Sequence, residues 1–502
     1  MQKIIDIFQW FIFFYSSLTM VIYVAMAILS YKHIRLYFWK NMGHYTQNMI
    51  SSPLSPGISV IAPAYNEGLT IIDNVYALMH LNYPLYEVII INDGSTDDTL
   101  DKLIEHFALK DVDLPYHERI KTLPVKRFFR SSDKAYEKLL VIDKENGKGK
   151  ADASNAGINA SKYDYFLCTD VDCILHEDTL SRLMRPILDE KSRNQLDDIQ
   201  VIPDTGYIHV EDNQRRVIAV GAPLRMINSS DVDNGVITRF RPPNKILPRF
   251  QELEYIRAYL LSKMAWSALN CVPNVSGGLG LFDKHIAVKV GGYDPRSFAE
   301  DIDMVTRMSV YMIQNNKRYA IRYIPVSLCW TEGPQNLKVF SRQRVRWARG
   351  LVQIMRLHWH VLFNTKFKRL GMVVFPYNFL FEFLAPILEL TGFIFYIYLI
   401  VIGAINWVNT LTLLCFLYMF SVMISSIAVL WDQLTERHYR KTSEVIGLCL
   451  TAFAEPFIYH PLIVFFSLKG YVQSMFRQKL VWGNMQRKGF SSSNTKGTSS
   501  ST

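Results

Sequence analysis

Tyr165-Phe166-Leu167-Cys168-Thr169-Asp170-Val171-Asp172-Cys173 is the stretch on which the fold turns. Its apolar run, Tyr165 to Cys168, reads as a short strand of a parallel sheet buried on both faces. It ends in two carboxylates at positions i and i+2. In an open α/β sheet, ligands bind beyond the carboxyl ends of the strands. With no basic neighbour inside the motif, Asp170 and Asp172 repel each other unless a cation holds them. Hard oxygen ligands at the mouth of a cleft suit Mg²⁺ or Mn²⁺ bridging phosphates. A turn in which the two acids only cap a following helix is the competing reading.

Upstream, Gly57 to Glu67 opens a second unit of the same kind. Ile58 to Ala62 is a strand and Pro63 to Glu67 the turn at its end. Leu69 to Met79 has helical spacing, and Tyr86 to Ile91 is the next strand, closing in Asn92-Asp93-Gly94-Ser95-Thr96-Asp97-Asp98. Strand, helix and strand at this interval make a βαβ unit with polar groups at both strand ends. The turn holding Asp93 can hydrogen-bond a nucleoside, and Asp97 or Asp98 caps the next helix.

The chain has 502 residues, room for two domains or more. Its residues are 49% hydrophobic, and they are unevenly spread. Residues from about 50 to 370 have ordinary soluble composition, whereas the N-terminal thirty and 371–468 are membrane-like. The net charge of +10 does not point to nucleic acid, because much of it flanks apolar segments: Lys32, Arg35, Lys40, Lys366, Lys368, Arg369, Arg437, Arg440 and Lys441. Such flanks fit anionic membrane lipids, and no RNA- or DNA-binding signature is present. The six cysteines have no paired CxxC spacing and no histidine cluster, which argues against zinc and for buried thiols in a reducing compartment.

Ile7 to Leu29 carries no charge and is long enough to span a bilayer, and too long for a signal peptide. Lys3 precedes it, while Lys32, His33, Arg35 and Lys40 follow, so the N-terminus is expected outside and the next segment in the cytoplasm. Ile387 to Ile405 and Leu411 to Leu430 are further spans. Gly371 to Ala385, with Pro376 and Glu382, reads as a broken or interfacial helix. Val445 to Leu468 contains Glu455, Pro456, His460 and Pro461. A single crossing there would leave Lys479, Arg487 and Lys488 outside, so a re-entrant hairpin or two short crossings is expected. Glu382, Glu389 and Glu455 either line a polar pathway or form protein-buried pairs.

Four motifs in order carry a family resemblance: Pro63-Ala64-Tyr65-Asn66-Glu67, Asn92-Asp93-Gly94-Ser95-Thr96-Asp97, Gly149-Lys150-Ala151-Asp152-Ala153-Ser154-Asn155-Ala156-Gly157 and Asp170-Val171-Asp172. With Val275-Ser276-Gly277-Gly278-Leu279-Gly280-Leu281-Phe282, Ala299-Glu300-Asp301-Ile302-Asp303 and Gln343-Arg344-Val345-Arg346-Trp347, the chain resembles the inverting family 2 glycosyltransferases of GT-A fold. The resemblance is to the membrane-embedded synthases of cellulose, hyaluronan and poly-N-acetylglucosamine, and it covers roughly residues 55 to 360. Trp482 to Phe490 also looks like a tail of bacterial members. Ala348-Arg349-Gly350 departs from the usual followers of the tryptophan and leaves the sugar open. Residues 121–146, longer and more basic than is usual in the family, read as a surface insertion.

The resemblance implies an α/β GT-A (Rossmann-like) cytoplasmic domain plus an α-helical transmembrane region. The expected divisions are an N-terminal transmembrane helix at 1–30, a linker at 31–56 and the transferase domain at 57–360. Interface helices and the C-terminal transmembrane region follow at 361–490, with a disordered Ser/Thr-rich tail at 491–502. It implies Asp301 as the base beside Glu300, Trp347 stacking on the acceptor sugar, and Gln343 and Arg346 alongside. Pro63, Tyr65, Glu67, Asp93, Lys150, Asp170 and Arg344 would bind the donor, Arg344 and Arg346 reaching its diphosphate. Asp172, with Asp170, would hold Mg²⁺ or Mn²⁺. The competing readings are a solvated acidic helix start for Glu300, Asp301 and Asp303, and a basic helix on lipid headgroups for the Arg344–Trp347 stretch. The expected partners are a UDP-sugar (UDP-N-acetylglucosamine or UDP-glucose), a growing glycan or lipid acceptor, membrane lipids and accessory export proteins. The expected setting is a multi-pass protein of the cell membrane. A non-processive lipid glycosyltransferase is the alternative. A catalytically dead nucleotide receptor is disfavoured, because every acidic position the reaction needs is present.

Overall fold

The computed structural model describes residues 2–41, 55–197, 214–233 and 236–476. Half of the expected linker, 42–54, and the whole tail, including Trp482 to Phe490, lie outside the described residues, while 31–41 continue the first helix. The first strands are β1 (Ile58–Ala64), β2 (Tyr86–Asn92), β3 (Leu109–Asp111), β4 (Val125–Ser131), β5 (Leu139–Lys144), β6 (Tyr165–Thr169) and β7 (Ile174–Leu175). Beyond them come β8 (Arg216–Gly221), β9 (Leu224–Met226), β10 (Asp231–Asp233), β11 (Val236–Arg239), β12 (Leu279–Asp283), β13 (Tyr319–Tyr323) and β14 (Cys329–Thr331). Nine of them form one mixed sheet in the order β13-β8-β12-β6-β1-β2-β5-β4-β3.

The apolar runs fall where their patterning puts them. β1 pairs in parallel with β2 and with β6, aligning Ala64 with Asn92 and Ile61 with Cys168. Three carboxyl ends therefore lie side by side, and the turns after them share one edge of the sheet. Strands buried on both faces read as continuous Val/Ile/Leu runs, as Val88–Ile91 do here.

The expected surface insertion at 121–146 is corrected. Leu139–Lys144 is β5, buried along its length and paired in parallel with β2. Val125–Ser131 is β4, antiparallel to β5. The basic residues that suggested a surface, Lys126 and Arg127, are the exposed positions of β4, while Leu139 to Ile142 is core.

Helices α1 (Gln2–Asn41), α2 (Ile71–Met79), α3 (Thr99–His106), α4 (Lys150–Ala160) and α5 (Thr179–Asp197) precede β8. α4 lies against β1 and β2, and its small residues let it sink close to the sheet. A Cβ on Gly157 would come within 2.5 Å of the Ile61 Cγ2, so only glycine fits there. α6 (Ile246–Ile256) runs through a π-helical turn, Arg257–Lys263, into α7 (Met264–Ala268), and α8 (Glu300–Gln314) and α9 (Leu337–Leu357) follow.

Among the described residues, four helices are long and apolar enough to cross a membrane: Ile5–Lys40, Leu370–Val401, Trp407–Thr435 and Thr442–Met475. Large apolar side chains exposed along them, among them Phe14, Phe393, Leu411 and Phe457, are in keeping with a membrane protein. The second is irregular in its first half, with π-helical turns at Leu370–Val374 and Asn378–Phe383 around Pro376, before α10 (Ala385–Val401). α11 is Trp407–Thr435 and α12 is Thr442–Met475. The expected hairpin at Val445–Leu468 is not formed. α12 runs unbroken through Pro456 and Pro461, because its polar groups find partners on neighbouring helices instead of needing a turn. Glu455 is buried and receives both Arg257 nitrogens at 2.7 and 2.9 Å, so it takes the protein-buried pairing. Glu389 meets His460 at 2.8 Å.

Candidate active site

Asp93 sits on the turn after β2 and is buried. Its Oδ1 accepts from the Gly147 amide at 2.9 Å and the Lys144 Nζ at 3.1 Å. Lys144, fully buried, also reaches the Asp152 Oδ2 at 2.5 Å. Burial pushes the Asp93 carboxyl up, while the Gly147 N–H and the Lys144 ammonium pull against that rise. Gly94 has φ +64°, which lets the turn close against Asn146, whose amide donates to the Asp93 carbonyl at 2.7 Å. Sequence reading passed over Lys144 because it was assigned to an insertion. Its signal was its place directly after an apolar strand-like run.

The turn after β1 lies next door. Asn66 takes φ 56°, and its backbone N–H donates to the Ser95 hydroxyl oxygen at 3.0 Å. The Glu67 amide donates to the Thr99 Oγ1 at 2.9 Å, and Asp97 accepts from the Gly68 and Thr99 amides at 3.1 Å each. Asp97 thus ties the two turns together, and Asp98 makes no side-chain cap. Pro63 is half-buried near the end of β1, ahead of the buried Ala64, and Tyr65 just beyond the strand stands exposed.

Lys150 opens α4, and its Nζ bridges the Asp170 Oδ1 at 2.6 Å and the Gly277 carbonyl at 2.5 Å. Burial works to lower its pKa, but the Asp170 carboxylate overrides this and holds the ammonium above the ordinary lysine range. Asp172 is buried, and one ligand atom each from Asp170, Asp172 and Cys173 lie within 4.8 Å of one another. The two carboxylates fit a hard divalent ion. The Cys173 thiol does not, since its hydrogen bond with Cys329 and its burial hold the proton on.

Across Gly277 stands the Glu300-Asp301 pair. A Cβ on that glycine would lie 4.0 Å from both the Asp301 Cβ and the Glu300 Oε1. Both acids are in the first turn of α8, where the helix N-terminus favours negative charge. The Asp301 Oδ2 accepts from the Asn274 amide at 3.2 Å and its Oδ1 from the Ile302 N–H at 2.9 Å. Burial pushes the Glu300 carboxyl up against the opposing Arg346 guanidinium, 4.0 Å away, and Asp301 adds to the rise. Asp303 is fully buried between Arg307 at 2.7 Å and His358 at 2.9 Å, which ties the start of α8 to the end of α9.

α9 carries Gln343, Arg344, Arg346 and Trp347. Gln343 accepts from Gln251 at 3.2 Å, joining α9 to α6. The expectation that Arg344 reaches a diphosphate is corrected. Arg344 is buried, its two terminal nitrogens are taken by Glu254, and Tyr459 binds one of them at 2.6 Å. Its guanidinium lies 4.6 Å over the Trp347 ring. Arg346, beside Glu300, is the arginine of this stretch turned toward the acids. Lys150, Glu300 and Asp301 thus meet at Gly277, with Asp170 on the Lys150 ammonium, Asp172 beside Asp170, and Arg346 beside Glu300. Asn274, Glu254, Lys263 and His358 escaped sequence reading, because each is placed by an element distant in the chain.

The model for "Glycosyl transferase family 2" matches residues 59–210, and that for "Glycosyl transferase family group 2" matches 244–431. A poly-beta-1,6-N-acetyl-D-glucosamine synthase of Staphylococcus epidermidis is 27% identical over 371 residues, 74% of this chain and 70% of that protein. One of Staphylococcus aureus (strain COL) is 26% identical over 315 residues, 62% of this chain and 58% of that protein. Among solved structures, a mannosyltransferase of Pyrobaculum calidifontis in complex with GDP-Man and Mn²⁺ superimposes with a TM-score of 0.43 at 15% identity. That match covers 92% of this chain and 99% of that one. The two family models span the turns of Asp93 and Asp170, the Glu300-Asp301 pair and the helix of Trp347, and the chain belongs to the family 2 glycosyltransferases.

Proposed function

We propose that the protein is a membrane-integral, inverting glycosyltransferase that extends a polysaccharide from a UDP-sugar at the cytoplasmic face, processively and coupled to export. The observation that carries this is the grouping around Gly277: a lysine ammonium on Asp170 to one side, and Glu300 with Asp301 on the other. The named relatives are synthases of a β-1,6-N-acetylglucosamine polymer, which supports UDP-N-acetylglucosamine ahead of UDP-glucose as the donor. The apolar helices that lie against the domain support an acceptor handled at the membrane.

In this reading Asp93 receives the nucleoside, and Pro63, Tyr65 and Glu67 border it. Lys150 sets a positive charge at the donor. A divalent ion held by Asp172 and the Asp170 oxygen that Lys150 leaves free would supply Lewis-acid charge for the leaving diphosphate. Asp301 accepts the proton of the acceptor hydroxyl as its oxygen bonds the anomeric carbon and the bond to the diphosphate breaks. One displacement inverts that carbon. Arg346 neutralises charge beside Glu300, and the flat face of Trp347 supports the acceptor ring, with Gln343 holding its helix.

Membranes carrying Asp301→Asn or Asp172→Asn are expected to insert normally and to lose transfer by at least about 100-fold, the usual scale for a general base. Wild-type-like turnover in either would sink these roles. Sizing the wild-type product decides the acceptor: a ladder of long chains supports a polymerase, and a single discrete glycolipid would replace it with a lipid glycosyltransferase.

A further inference from the structure

α1 and α11 both end on the catalytic domain. The Lys40 carbonyl accepts from Arg185 at 3.3 Å, and Asp432 pairs with the buried Arg225. The two helices also meet through Tyr31 and Trp431, whose rings are 5.6 Å apart. Beside that contact lies a groove of about 500 Å³, walled by Phe38, Trp39, Trp431 and Leu434, with Arg35 at its rim. Leu434 and Trp39 are largely exposed, unusual for such side chains in water and ordinary at the edge of a bilayer. Arg35 is the charged side chain in the groove's lining; it is exposed, and among the described residues it pairs with no carboxylate. Lys32 on the same helix and Arg437, Arg440 and Lys441 after α11 are exposed too.

We propose that this groove binds an anionic glycerophospholipid, with an acyl chain against Phe38, Trp431 and Leu434 and the headgroup phosphate on Arg35. The apolar walls demand an aliphatic occupant, and the one-sided charge demands an anionic head. A free phosphate would leave the walls exposed, and a neutral lipid would leave Arg35 without a partner. The helices' docking on the catalytic domain sets the site at the membrane face where that domain sits. Nothing in this depends on the transfer chemistry.

The test uses the full chain in nanodiscs of phosphatidylcholine doped with phosphatidylglycerol, and native mass spectrometry counts the lipids it keeps. Phosphatidylglycerol is expected to be retained in preference to phosphatidylcholine. Arg35→Gln should weaken that retention about fivefold, the change that about 1 kcal/mol per surface charge gives, and Arg35→Lys should restore most of it. Trp39→Ala, at an exposed position, should weaken retention without changing the headgroup preference. Equal retention of the two lipids by the wild type, or unchanged retention by Arg35→Gln, would overturn the proposal. So would a lipid-linked sugar found seated there instead.

Discussion

Lys263, on the π-helical turn after α6, holds its ammonium between two tyrosine rings, 5.0 Å from the centroid of Tyr259 and 5.3 Å from that of Tyr323. Burial pushes its pKa down to about 8 from an ordinary 10.5, and Asp301 opposes that drop only in part. Between those values the unfolded chain holds a proton that the folded chain has released, so stability rises with pH across that window. Below it the charged lysine is a cost to the fold. Lys263→Met is expected to melt at a higher temperature than wild type at pH 7, with the gap closing as pH approaches 10.5. Melts of the purified protein at several pH values check this, and parallel curves would refute it. None of this is legible in the sequence. Lys263, Tyr323 and Asp301 lie far apart in the chain, and only the packing of α6 and α7 beside β13 and α8 makes one environment of them. Asp170 and Asp172, by contrast, were legible, because strand and ligands sit in one short run.

Among the elements, α9 shows how a motif is held. Arg344 clamps it to α6 through Glu254 and to α12 through Tyr459, and its guanidinium backs the Trp347 ring. A buried guanidinium that loses its carboxylate is left as an uncompensated charge, which costs about 3 kcal/mol or more. Glu254 keeps 22% side-chain exposure, which argues for the lower end. Glu254→Met is thus expected to destabilise by about 3 kcal/mol, and the double replacement Glu254→Met with Arg344→Met by clearly less. A double-mutant cycle of melting free energies checks it, and simple additivity would remove the clamp. The motif marks this helix in sequence, yet the division of labour between its two arginines does not show there. Neighbours on a helix point to different faces, and the partners come from α6, α8 and α12.

For the whole molecule the open issue is α12. At 34 residues it is about 50 Å long, more than the roughly 30 Å a bilayer core needs. Both its ends touch the catalytic domain. Glu444 lies 3.8 Å from Arg239, and a Cβ on Gly470 would meet Ala348 of α9 at 2.7 Å. An unbroken helix tied at both ends to one domain keeps the chain on the side where it began. We therefore expect three crossings, with the residues after α12 on the catalytic side and the N-terminus on the other. Protease digestion of intact spheroplasts should remove an N-terminal tag and spare a C-terminal one. Loss of both would make α12 a fourth crossing.

The sequence alone determined the βαβ start, the acids at the strand ends, the family and the presence of several membrane segments. These are local patterns, in which period, length and charge lie within one window. The tertiary structure decided what long-range contact controls. β5 entered the core although basic residues flanked it, because β2 offered an edge to pair with. Arg344 went to Glu254 rather than to the acids at Gly277, because burial rewards a charged group only where an opposite charge is already buried beside it. α12 stayed one helix because its polar side chains found partners on α6, α10 and α11 and had no need of a turn.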